Sequence, residues 1–154
     1  MAEKTAMYGN FLKVATQAMT AFGMKACLLT KDYAPNQDTH GVYSDLTNEL
    51  TSVGTNYPAG GVVVQDLTVG YSAGKTPGGY ATIYAFDLTY DDIIAPAIDI
   101  CYVVFYLADT PKTLVGYLNL YEMNNYAYVN PNNQDLVITL SNGFVKLSLK
   151  GEEV

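Results

Sequence analysis

The apolar residues of this chain change period once, at residue 23, and that change limits the fold. Before it, Met7, Phe11, Ala15, Ala18 and Phe22 recur at three- and four-residue spacings, with Val14 and Met19 widening the stripe. Such spacing predicts one amphipathic helix over about residues 5–22, packed against a sheet or along its edge and stopped by Gly23. Beyond it the pattern is that of strands. Tyr80, Thr82, Tyr84, Phe86 and Leu88 alternate with Ala81, Ile83, Ala85 and Asp87, the period of a strand. Residues 98–108 are apolar on both faces, as in a central strand. Further strands are expected in 24–30, 61–71, 112–123, 135–140 and 144–149, the last two as a closing hairpin through Ser141, Asn142 and Gly143. Residues 31–60 read as one long loop, the kind that is functional or packs as a lid. Within it Asp45 to Leu50 offers one helical turn, capped by Ser44 or Asp45.

One leading helix and about seven short strands predict a mainly β chain, a single-domain β-sandwich or open barrel. At 154 residues the chain has one domain's length. The expected division is a helix at about 5–22, a β domain at about 24–149 and a frayed tail at 150–154.

Charge excludes several partners. The basic residues number 8, all lysine and scattered, against 15 acidic ones, for a net charge of −7. Without clustered cations or any arginine fork, neither nucleic acid nor an anionic membrane surface is an expected partner. The start carries no secretory pattern and no apolar run reaches membrane-spanning length, which points to a chain made in the cytoplasm. Cys27 and Cys101 each sit in an apolar segment and read as buried free thiols; nothing requires a disulfide.

The sequence offers little chemistry. His40 is the sole histidine, with Asp38 two residues before it; no nucleophile motif accompanies the pair, so His40 reads as a loop hydrogen-bonder. The acidic doublets Asp91-Asp92 and Glu152-Glu153 point neighbouring side chains apart and read as solvated turn and tail. Gly74-Lys75-Thr76 lacks the spacing and the following helix of a phosphate loop. Asn132, Asn133 and Asp135 are too few for a calcium loop. No catalytic residue, cofactor or metal ligand is expected.

What remains is aromatic. The chain has 14 tyrosines and no tryptophan. Buried hydroxyls need partners, so some of these rings must reach water or another subunit. Tyr121, Tyr126 and Tyr128, in or beside an Asn-rich segment at 121–133, are the candidate interface, since Tyr and Asn suit protein contacts and sugar sites. The plainer reading is a strand-end cluster packed on the core.

Residues 28–64 carry a more specific signal. Lys25, Leu28, Leu29 and Thr30 are followed by Tyr33, Pro35, Asp38, Thr39, His40, Tyr43, Ser44, Asp45, Asn48, Glu49, Gly54, Tyr57, Ala59, Gly60 and Gly61. This order resembles a family of small structural proteins of tailed bacteriophages. The rest of the chain is similar in layout, except that LVGYLNL stands where the family usually reads PLIAYID, and that the Tyr/Asn-rich segment departs from the common form. The resemblance implies a non-enzymatic virion component. The leading expectation is a capsid decoration (cement) or minor head protein, whose partners are the major capsid protein or other virion proteins. A homo-oligomer is left open. The alternatives are a tail, neck or baseplate component, or a glycan-binding β-sandwich module on the virion.

Overall fold

A computed structural model describes residues 9–72, 80–94, 98–109, 111–140 and 143–148. The protein is mainly β, with antiparallel sheets and two helices among the described residues. Pairing gives a four-stranded, a three-stranded and a two-stranded sheet, none closed on itself. The chain falls into two compact units: one of residues 1–22, 65–86 and 139–154, the other of Gly23–Val64 and Asp87–Ile138.

In the first unit, α1 (Gly9–Thr20) packs against β3 (Thr68–Ser72), β4 (Tyr80–Tyr84) and β9 (Val145–Ser148), which pair in the order β3-β4-β9. The helix is where its period predicts, and Gly23 at φ +74° ends it; its first expected residues, 5–8, lie outside the described residues. The buried face differs from the expected stripe. Val14, Ala15, Ala18 and Phe22 are exposed, whereas Thr16 is buried. In β4 Ala81 and Ile83 face the core, and the opposite face carries the Tyr84 ring over Gly70, where a β-carbon would come within 2.8 Å of it.

The second unit is built on the sheet β2-β1-β6-β7, with β1 at Met24–Thr30, β2 at Val62–Val63, β6 at Ile100–Leu107 and β7 at Leu114–Asn119. Central strands β1 and β6 pair Lys25 with Tyr106, Cys27 with Val104 and Leu29 with Tyr102. Both are apolar on each face, as continuous apolar runs require, and are largely buried. A two-stranded ribbon, β5 (Leu88–Ile93) with β8 (Gln134–Ile138), belongs to this unit. Its Tyr90 hydroxyl donates to Ala26 O at 2.6 Å.

Four sequence expectations are corrected. The expected run 80–88 is not one strand: it breaks after Tyr84, and Leu88 opens β5. The closing hairpin does not form, because β8 pairs with β5 and β9 with β4; the Asn-Gly signal is local, and longer-range pairing overrides it. Asp91 and Asp92 form a bulge inside β5 rather than a turn, with Asp92 at φ +45° and its N–H donating to Asp135 Oδ1. The 112–123 segment is part strand, part helix: β7 gives way to α2 (Leu120–Met123), whose first turn is capped when Asn119 Oδ1 accepts from Glu122 N–H. Residues 74–76 and 150–154 lie outside the described residues.

Candidate functional site

The long segment between β1 and β2 is a strap tied to the sheet in two places, just before β7 and along β1. Near its start, Val42 bridges to Thr113, and Leu114 N–H donates to Gly41 O at 2.9 Å. Further on, Glu49 bridges to Leu29, and Leu50 N–H donates to Leu28 O at 2.9 Å. Between these ties Tyr43 and Leu46 pack onto Cys27, Leu29, Tyr33, Val104 and Tyr106. The helical turn is Tyr43–Asp45, earlier than the 45–50 expected, because Asp45 acts at its end: its carboxylate accepts from Gly41 and Val42 N–H at 2.9 and 3.0 Å. Those two bonds hold its carboxyl below the usual range.

Glu49 organises the strap's far end. One carboxylate oxygen accepts from the Tyr43 hydroxyl. The other accepts from the Tyr57 hydroxyl at 2.6 Å and from Gly60 N–H at 2.9 Å. Tyr57 Oη in turn accepts from Leu28 N–H at 3.1 Å, and the Tyr106 hydroxyl donates to Gly60 O at 2.5 Å. Burial, and then the Glu49 carboxylate, push the Tyr43 and Tyr57 hydroxyls well above the ordinary phenol range. Burial is the first cause, and Glu49 the second, of the Cys27 thiol's rise to about 12; an acid this weak is no nucleophile at neutral pH. Both cysteines are free and buried.

His40 is likewise structural. Its Nδ1 accepts from Asn36 N–H at 3.3 Å, so the Tyr33 hydroxyl, 2.9 Å away, must be the donor to the same nitrogen. The two rings stack at 5.6 Å. The nitrogen that Asp38 would have to orient is taken, and the Asp38 backbone N–H is itself held by Asn36 Oδ1. No group of three or more His, Cys, Asp or Glu able to hold a metal occurs among the described residues. No helix among them is long and apolar enough to cross a membrane.

Tyr121, Tyr126 and Tyr128 do come together. The Tyr121 ring lies 5.7 Å from Tyr126, edge to face, and 4.7 Å from Tyr128. Tyr126 is 71% exposed and Tyr128 47%, so this is a surface platform rather than a cluster buried in the core. Lys31 Nζ stands 5.3 Å from the Tyr128 centroid and 3.1 Å from Asp99 Oδ2. The asparagines of this segment serve the backbone: Asn125, Asn132 and Asn133 take φ +54°, +47° and +64°, where a short polar side chain is best tolerated. Tyr126 itself has φ +61°. A bulky residue there costs about 1–3 kcal/mol, and its N–H donates to Tyr121 O at 2.8 Å. The turn thus spends strain to hold an exposed ring.

Sequence reasoning passed over Glu49 as an organising residue, and over Tyr117 and Met123, both exposed near this surface. Glu49 was visible only as one letter of a motif; its donors come from positions 6, 8 and 11 residues later or earlier in a loop without period.

Comparison of the chain with protein-family models, with curated proteins and with solved structures finds no match in any of the three.

Proposed function

We propose that this protein is a structural component of a tailed-bacteriophage virion, a capsid decoration or minor head protein that works by protein–protein contact. The observation that carries the reading is the exposed platform of Tyr121, Tyr126 and Tyr128, held on a strained turn. Rigid aromatic rings supply contact area at small entropic cost. The strap residues that resemble the phage family are meanwhile consumed in building the scaffold, consistent with a non-enzymatic role. A β-sandwich is the architecture we favour for the Gly23–Val64 and Asp87–Ile138 unit, supported by the reach of Tyr90 from the β5 ribbon to Ala26 O in the four-stranded sheet. The major capsid protein is the proposed partner.

The test is direct. Purified particles should contain the polypeptide by mass spectrometry, antibody should label the head, and Tyr126→Ala should lower its occupancy on the particle while leaving the fold intact. Intact particles lacking the chain would refute the reading. Labelling of the tail would move it to the neck, tail or baseplate. Binding to a glycan array that is lost in Tyr128→Ala would replace it with glycan recognition.

A further inference from the structure

A second feature of the same unit lies outside the platform. Strand β7 ends the four-stranded sheet. The strap covers only its first residues, through Val42 and Thr113 and through the Leu114 N–H bond to Gly41 O. Beyond that, residues 115–119 face a groove of about 640 Å³, within the range of binding clefts. The groove touches every residue of β7 in succession. Successive side chains of a strand point to opposite faces, so a groove that meets all of them runs along the strand's edge, over its backbone. Tyr33 and His40 contribute to one wall, and Glu122 and Met123 line it from α2.

Open edges are ordinarily blunted by lysine, proline or an inward charge, because their backbone N–H and C=O groups template another strand. The β7 sequence LVGYLN has none of these. Gly116 has no atom within 4 Å of where its β-carbon would lie, and Tyr117 is 40% exposed. Five residues at about 3.3 Å each give roughly 17 Å of pairing edge, enough for a short extended segment.

Charge selects the occupant. Among the described residues Glu122 is the only carboxylate lining the groove, and the whole chain carries −7. A second copy would bring that same charge; a segment bearing lysine or arginine is attracted instead. We infer that the open edge of β7 accepts an extended, basic segment of a partner polypeptide as an added strand. This is strand addition, in which main-chain bonds supply affinity and alternate side chains supply selectivity. The inference stands whether or not the partner belongs to a virion.

The probe is a displayed library of random nine-residue peptides, panned on the full-length protein. Enriched peptides should alternate apolar residues and carry Lys or Arg, and their binding should slow amide hydrogen exchange at residues 115–119. Glu122→Lys should weaken the original peptides by about threefold, the scale of one exposed ion pair, and shift enrichment toward acidic peptides. Gly116 and Leu118 pair with Phe105 and Val103 of β6, so the outward N–H between them is that of Tyr117. Tyr117→Pro, checked for a native circular dichroism spectrum, should abolish binding by removing that edge donor, whereas Tyr126→Ala should leave binding unchanged, which separates this groove from the tyrosine platform. Absence of enrichment, protection mapped elsewhere, or selected peptides indifferent to Glu122→Lys would overturn the proposal. So would a dimer, seen by sedimentation, that protects residues 115–119, since the edge would then belong to a second copy.

Discussion

Replacing Gly61 by alanine should damage the fold far more than the same change at Gly54. Both glycines have positive φ, +86° and +72°, so both variants incur the left-handed strain of about 1–2 kcal/mol. Their surroundings differ. A β-carbon on Gly54 meets nothing within 4 Å, whereas one on Gly61 would lie 1.8 Å from Ala26 O and 2.7 Å from Cys27 Cα. Those are backbone atoms of β1, fixed by pairing with β6, so no side chain can swing aside. Restoring contact near 3.4 Å demands a retreat of about 1.5 Å. A retreat of that size breaks the Gly61 N–H bond to Pro58 O and the β1–β2 pairing of Ala26 with Val62. At about 1 kcal/mol for each lost hydrogen bond, with strain added, Gly61→Ala should cost roughly 3–5 kcal/mol. For a chain of this size that is a fall in Tm of roughly 6–20 °C, against about 2–8 °C for Gly54→Ala. Thermal melts of the two variants side by side decide the matter; midpoints within about 3 °C of each other would refute the steric argument.

Glu49→Ala should destabilise by about 2–4 kcal/mol by orphaning the Tyr43, Tyr57 and Gly60 donors, and Glu49→Gln, which keeps one acceptor oxygen, should cost less in urea titrations. Stability should fall as pH rises above about 9–10: burial holds Cys27 and Tyr106 protonated in the folded state up to about 12, so the unfolded chain releases protons first and gains on the native one. Denaturant midpoints that are unchanged between pH 8 and pH 11 would contradict this. In the other direction, the lowered Asp45 carboxyl contributes stability above the ordinary carboxylate range that is lost as pH falls through it, and Asp45→Asn should remove that part of the acid sensitivity. Tyr126→Ala should leave Tm nearly unchanged in thermal melts, because alanine keeps the same φ +61° strain and the exposed ring takes little burial with it.

Local chemistry was legible in the sequence where one residue decides it. Gly23 stops α1, the continuous apolar run of residues 98–108 places β6 at the centre, and the long segment 31–60 has little regular structure. The three tyrosines proposed for an interface do converge. Strand partners were not legible. The alternation of residues 80–88 runs unbroken through the point where β4 ends and β5 begins, since both strands are half-buried with the same period. Likewise Ser141-Asn142-Gly143 carries a turn signal, yet the strands on either side pair with β5 and β4. Turn propensity acts over a few residues, and sheet pairing is chosen by burial across the whole unit. The helix face failed for a related reason: alanine-rich faces differ little in transfer free energy, so Thr16 can be buried while Ala15 and Ala18 are exposed.

The division of labour between the two halves of the larger unit bears on function. In the strap, Asp45, Glu49, Tyr57, Gly60 and Gly61 are bound to backbone or to one another, so changing any of them should read out first as lost stability. They explain why such a chain folds, and say nothing of what it touches. The outward-facing Tyr117, Met123, Tyr126 and Tyr128 all lie outside the strap, in residues 115–128. Their exposure is held in place by deliberate backbone features, the Asn119 cap and the positive φ of Asn125 and Tyr126. Strain retained at an exposed aromatic position has no use in a scaffold, because a glycine or asparagine at 126 would form the same turn at lower cost. Partner choice is therefore most economically placed in residues 115–128, and substitutions there should separate binding from folding where substitutions in the strap cannot.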